Sequence, residues 1–239
     1  MSVFTTLYEA HITIGAHDIT WREIIGNAFG LASAIGGMRR RIWTWPVGIV
    51  GNVLLFTVFL GTAIGGQGAP LFGQAARQVF FIVVSVYGWH RWLVTRAANR
   101  QSSGADAPAV RPRWATTKER LSYLIAAALL VLCCIWVFRE IGAGWPAPWW
   151  YYVADAWIFV GSMLATYAMA RGWVDFWLVW IAVDLVGVPE LLYFHYYPSA
   201  ALYGIYAGFV IWGFVVWLRA AHAERAMGLG DDASEEVGV

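Results

Sequence analysis

Apolar runs of membrane-spanning length recur along the chain, separated by segments that collect most of the charge. A bilayer core about 30 Å thick needs roughly 20 mainly apolar residues per helix. Seven stretches meet or approach that length: Glu23–Met38, Trp43–Ala63, Ala75–Val94, Leu121–Phe138, Tyr152–Ala170, Trp173–Leu192 and Ser199–Leu218. The first is short and rich in Gly and Ala, a composition that suits close helix packing. The pattern predicts an all-α integral membrane protein with seven transmembrane helices. It divides the chain into an N-terminal external segment (1–22), a first three-helix bundle (23–94), a cytoplasmic linker (95–120), a linking fourth helix (121–138), a second three-helix bundle (152–218) and a cytoplasmic tail (219–239).

Composition narrows the class further. Of 239 residues, 60% are hydrophobic and 13% charged, against roughly 45–50% and about 25% in soluble domains. A soluble single-domain enzyme is excluded. The net charge of +1 gives no electrostatic case for binding nucleic acid. Charge matters by position instead: with an external N-terminus, 13 of the 16 Lys and Arg fall on the cytoplasmic side, leaving Arg22, Arg77 and Arg139 elsewhere. The expected location is therefore the cytoplasmic membrane, with the C-terminus inside. Met1–Thr20 carries Glu9 and Asp18 and no basic residue, unlike a signal-peptide n-region, so the N-terminus is expected to remain. The polar stretch Thr95–Thr117 reads as a flexible linker, and the acidic tail after Arg219 as frayed.

Several chemistries lack their sequence signatures. There is no phosphate-binding G-x-x-x-x-G-K-[ST] loop, no H-E-x-x-H, no C-x-x-C and no G-x-S-x-G. Cys133 and Cys134 are adjacent in an apolar run and read as packing residues, and the five His never share ligand spacing on one helix. Neither a metal nor a cofactor is expected.

An internal repeat is the most informative feature. Trp45 and Asn52 in the second helix are seven residues apart, as are Trp177 and Asp184 in the sixth, with Arg41 and Arg171 preceding the two helices. Seven residues make about two helical turns, so each pair shares a face. In the third helix Gln78, Phe81, Gly88 and Trp92 match Tyr203, Tyr206, Gly213 and Trp217 in the seventh at a constant offset of 125. Helices 1–3 and 5–7 thus read as two copies that enter the membrane from the same side, a parallel 3+1+3 arrangement of the kind found in SWEET carriers.

Ionisable groups inside a span are costly, so those that persist face a cavity or a partner. Asp184 lies just past the middle of the sixth helix, and Asp155 and Glu190 lie nearer external ends. Asp184 has two readings, a ligand contact or a hydrogen bond that holds helices together. The amides Asn52, Gln74 and Gln78 each offer a donor and an acceptor. Gln74 and Gln78, one turn apart, could grip one edge of a heteroaromatic ring. Sixteen Trp, eleven Tyr and thirteen Phe exceed what interfacial belts need, and Trp45, Trp177, Trp180 and Tyr203 are the candidates to stack on a planar solute. Pro46 and Pro189 are candidate hinges or kinks.

The stretch Trp43–Asn52, the run from Gln78 to Trp89 and the trio Trp177, Trp180 and Asp184 resemble the PnuC family of vitamin transporters over nearly the whole chain, Trp21 to Arg219. The resemblance implies facilitated diffusion of a vitamin precursor, made one-way by phosphorylation inside the cell. Asp155–Ser162, Ala165–Trp173, Asp184–Pro189 and Arg113–Arg120 are more similar to the riboflavin-carrying branch of that family. Its nicotinamide riboside carriers typically show Gln where Thr166 stands and Lys where Gly172 stands. Thr166 joins the candidate contacts on that ground, and the substrate implied is riboflavin, with nicotinamide riboside as the alternative and thiamine as a weaker third. Binding near the midplane between the two bundles is the expectation. A membrane enzyme acting on lipid would need acids or His clustered at one face, and the candidates are spread over four helices. The other partner is the lipid bilayer, and assembly into a homo-oligomer is compatible with the sequence.

Overall fold

The computed structural model describes residues 11–14, 17–60, 72–103, 109–140, 149–193 and 197–226. Among them are seven helices: α1 (Trp21–Met38), α2 (Thr44–Leu60), α3 (Phe72–Ser103), α4 (Thr117–Glu140), α5 (Trp149–Ala170), α6 (Asp175–Tyr193) and α7 (Tyr197–Ala226). The structure adds an antiparallel pair of strands, β1 (His11–Ile14) and β2 (His17–Thr20), where the sequence suggested only an external segment. Alternating Ile and Thr with polar residues favours such pairing. Thr20 ends β2 and caps α1, its hydroxyl accepting from the Glu23 amide at 3.3 Å.

Among the described residues, three helices are long and apolar enough to cross a bilayer: Thr117–Glu140, Tyr152–Ala170 and Tyr203–Ala226. The helix α2 is equally apolar, with 17 residues described. Two spans run at least eight residues past their predicted C-terminal ends. The helix α3 continues to Ser103, inside the stretch read as linker, and α7 continues to Ala226, inside the predicted tail. Residues 104–108 and 227–239 lie outside the described residues.

The chain divides into two compact units, 1–110 and 111–239. In the first, α2 packs between α1 and α3. Backbones of α1 and α2 nearly touch, because a Cβ at Gly51 would lie 2.9 Å from the Gly26 carbonyl oxygen. Small residues permit that approach. The same helix pair is tied by hydroxyls: Ser33 donates to the Thr44 carbonyl at 2.8 Å, and Thr44 donates back to the Ser33 carbonyl.

In the second unit α6 packs between α5 and α7, repeating that order, and α4 packs against α5. Much of the apolar surface of α4 is exposed, with Leu129, Leu132 and Trp136 each 63% exposed. Such a surface is stable only in hydrocarbon.

The duplication extends to individual backbone hydrogen bonds. Arg39, Arg40 and Arg41 donate to Ile35, Gly37 and Gly36 at the end of α1, and Arg171, Gly172 and Trp173 donate to Tyr167, Met169 and Ala168 at the end of α5. Thr44 to Arg41 and Trp45 to Ile42 reappear as Phe176 to Trp173 and Trp177 to Val174. Arg40 and Gly172 both take left-handed backbone, with φ of 55° and 73°. The structural counterpart of Arg171 is therefore Arg39, not the Arg41 suggested by sequence. Pro46 is the third residue of α2, where a missing N–H costs no intrahelical bond; it starts that helix and does not kink it. Pro189 does lie inside a helix, near the end of α6.

Candidate substrate-binding site

The two signature indoles are locked into their own bundles. Trp45 and Trp177 are each 3% exposed. A Cβ at Gly88 would lie 2.4 Å from Cη2 of Trp45, and one at Gly213 would lie 2.1 Å from Cη2 of Trp177. Each ring thus fills a notch that only glycine on the third helix can leave. Trp92 meets Trp45 edge-on at 5.2 Å between centroids, and Trp217 meets Trp177 at 6.4 Å. Both partners are fully buried. Quadrupole attraction favours these tilted contacts. Sequence marked both glycines and both partner indoles as repeat positions; their notch-filling contacts emerge only when the helices are packed.

On α6 the residues Trp177, Trp180, Asp184 and Gly187 follow one another at three- or four-residue steps, so they form one stripe. The neighbouring Val183 seats α6 against α5, since a Cβ at Gly161 would lie 2.6 Å from Val183 Cγ2, and Trp157 donates from Nε1 to the Ala182 carbonyl at 3.1 Å. The Tyr203 ring from α7 lies over Gly187, with Cε1 3.3 Å from where a Cβ would stand. Asp184 and Tyr203 are thereby brought to the same side of α6. Asp184 is 8% exposed, and its Oδ2 has no hydrogen-bond partner among the described residues. Burying an unpartnered carboxylate oxygen is costly.

Thr166 is half-buried on α5 and donates its hydroxyl to the Ser162 carbonyl at 2.9 Å, while Ser162 donates to Ile158 at 2.7 Å. With its proton spent on the helix, Thr166 offers a ligand lone pairs only. In the first unit Gln78 is 3% exposed within α3 and Asn52 is half-buried within α2. Gln74 lies in the first turn of α3, and its side chain is outside the described residues. Trp180 is half-buried.

The family described as "Nicotinamide mononucleotide transporter" matches residues 20–219. The chain belongs to this family. It is a membrane transporter and not an enzyme. It is 37% identical over 218 residues to the riboflavin/roseoflavin transporter RibM of Streptomyces davaonensis, covering 91% of this chain and 93% of the relative. It is 24% identical over 244 residues to the nicotinamide riboside transporter PnuC of Escherichia coli, covering 92% and 95%. Its fold is similar to that in a crystal structure of the vitamin B3 transporter PnuC, with a TM-score of 0.61 at 15% identity over 85% of this chain and 83% of the other.

Ahead of α4, the transporter carries an ionic cluster that sequence reasoning passed over. Arg113 grips Glu119 through two hydrogen bonds of 2.7 Å, and Arg171 adds a third at 3.1 Å. The Thr116 amide also donates to Glu119 at 2.9 Å, and the Glu119 amide donates back to the Thr116 hydroxyl at 3.3 Å. This is a capping box, and T-x-x-E at 116–119 is its sequence signature. Asp175 accepts from the Ala115 amide and from Arg120 Nε, both at 2.8 Å. Two backbone bonds complete the join, Arg113 to Gly172 and Val174 to Arg113. Residues 113–116, read as flexible linker, are thus fastened to the α5–α6 turn.

Proposed function

We propose that this transporter imports riboflavin by facilitated diffusion, with phosphorylation inside the cell trapping the product. The observation that carries the reading is Asp184, a buried acid with an unpartnered oxygen on the same stripe of α6 as Trp180 and one turn from Gly187, over which the Tyr203 ring lies, in a chain 37% identical to a riboflavin/roseoflavin transporter. Riboflavin presents a ring N–H and ribityl hydroxyls as donors and ring carbonyls as acceptors. An ionised carboxylate only accepts, as does the spent hydroxyl of Thr166, whereas Asn52, Gln78 and Gln74 can do both. In this reading Trp180 and Tyr203 stack on the isoalloxazine, while Trp45 and Trp177 each shape the interior of their own bundle. Pro189 removes one backbone hydrogen bond inside α6 and so gives that helix a place to flex. The N-terminus is external and the C-terminus cytoplasmic, as the distribution of Lys and Arg indicates.

The test is rescue of a riboflavin-auxotrophic strain that lacks its own importer. Growth on low riboflavin is the expected outcome, lost when Asp184 is replaced by Leu. Absence of rescue together with uptake of labelled nicotinamide riboside would transfer the assignment to that vitamin. A protonophore should leave initial uptake unchanged, because a facilitator needs no ion gradient.

A further inference from the structure

One end of the first unit carries arginines that no acid answers. Arg39 and Arg41 are exposed in the turn between α1 and α2, and Arg96 and Arg100 stand on the last turns of α3. The edge-on contact of Trp45 with Trp92 brings both segments to the same end of the bundle, because Arg41 lies four residues before Trp45 and Arg96 one turn beyond Trp92. Among the described residues, none of these four side chains forms an ion pair or a hydrogen bond. The Nε of Arg96 is buried without a partner, a costly state for part of a charged group. The described acids of this unit, Asp18 and Glu23, lie in β2 and in the first turn of α1, at the opposite end of an 18-residue helix from Arg39. In the second unit, by contrast, Arg111, Arg113, Arg120 and Arg171 each meet a carboxylate. Arg39 therefore lacks the kind of partner that its counterpart Arg171 has. The face of α3 that leads to these charges is apolar and bare: Val86, Trp89 and Leu93 are exposed. Together with Arg96 and Arg100 they follow one another at three- or four-residue steps, so they form one stripe. A stripe that passes from exposed apolar side chains to unneutralised guanidinium groups matches an amphiphile with an anionic head.

We propose that this face of α3 binds an anionic phospholipid, with an acyl chain along Val86, Trp89 and Leu93 and the phosphate held by Arg96 and Arg100. Guanidinium groups suit phosphate oxygens because they present paired N–H donors, and Arg39 and Arg41 add to the positive potential at the same end. The inference rests on the chain being a membrane transporter and is independent of which vitamin it carries.

The test uses the purified full-length protein in phosphatidylcholine vesicles doped with phosphatidylglycerol or phosphatidylcholine that carries a photoreactive diazirine in its acyl chain, the labelled residues being mapped by peptide mass spectrometry. The phosphatidylglycerol probe should label α3 between Val86 and Leu93 more heavily than the phosphatidylcholine probe. That preference should fall about fivefold for each arginine replaced, the contribution of one basic residue near a membrane surface. Arg96→Gln combined with Arg100→Gln should thus remove most of it, and Arg96→Lys combined with Arg100→Lys should keep it. Arg120→Gln, which deletes an arginine already paired with Asp175, should leave it unchanged. Should the double Gln variant not fold, the natural sequence at about 1 M salt decides the matter, since screening there shortens to about 3 Å and the preference should vanish. Equal labelling by the two probes, labelling centred elsewhere, a preference that survives the double Gln change or high salt, or an equal fall in Arg120→Gln overturns the proposal. So does full displacement by soluble glycerol phosphate, which would mark a phosphate site without a chain.

Discussion

Adding one methyl group at Gly213 is the sharpest test of the packing that defines each bundle. The new Cβ would stand 2.1 Å from Cη2 of Trp177 and 2.5 Å from two further ring atoms. Optimal carbon contacts lie at about 3.5–4.0 Å, so the indole would have to retreat by more than about 1 Å. It has little room to do so, since Trp177 is buried and packed by Phe176, Phe209 and Trp217. Overpacking of this kind costs about 1–3 kcal/mol, and Gly213→Ala should fall at the upper end. Gly208 on the same helix is the control, because nothing lies within 4 Å of a Cβ there; Gly208→Ala should be neutral or stabilising by up to about 1 kcal/mol. Unfolding is read by tryptophan fluorescence against denaturant in mixed micelles. A double-mutant cycle with Trp177→Phe should show favourable coupling, since the smaller ring vacates the notch. If Gly213→Ala matches Gly208→Ala in stability, the ring is not seated as described.

Three other outcomes are expected. Asp184→Leu should weaken riboflavin binding by about 5- to 150-fold, the range for one lost hydrogen bond to a charged or buried group, with Asp184→Asn intermediate; titration of the purified protein by flavin fluorescence checks it. Glu119→Gln should cost about 1–3 kcal/mol, because Arg113 and Arg171 lose their shared charged partner; proteolysis within 109–116 should accelerate while flavin affinity holds. Gly172→Ala should cost about 1–2 kcal/mol through its left-handed backbone, a loss visible as a lower unfolding midpoint and absent from Gly204→Ala, where a Cβ meets open space.

Much of the fold was legible in the chain itself. Length and apolarity of the runs fix the spans, since lipid leaves a helix few other ways to satisfy its backbone. Equal spacing of Trp45 with Asn52 and of Trp177 with Asp184 exposed the duplication, and the constant offset between α3 and α7 singled out Gly88 and Gly213. Span ends were less legible. The polar ends of α3 and α7 stay helical, because helix does not stop where hydrophobicity does. The β1–β2 pair was missed although its partners are neighbours in the chain and its alternation of Ile and Thr with polar residues is a local signal, whereas the fixing of 113–116 depends on partners supplied by the distant α5–α6 turn.

Residue roles were the hardest to read, and Trp45 and Asp184 show why. A helix that is apolar all round carries no periodic mark of its inward face, so the chain specified which residues were unusual without specifying what each one meets. The rotation of each helix about its axis, set by glycine notches on its neighbours, decided that Trp45 and Trp177 fill bundle interiors and that Asp184 keeps a bare oxygen. Span order, duplication and family were therefore properties of the sequence, because they reside in local composition and spacing. The division between packing ring and binding group belonged to the tertiary structure, because it arises only when a side chain meets an atom from another helix.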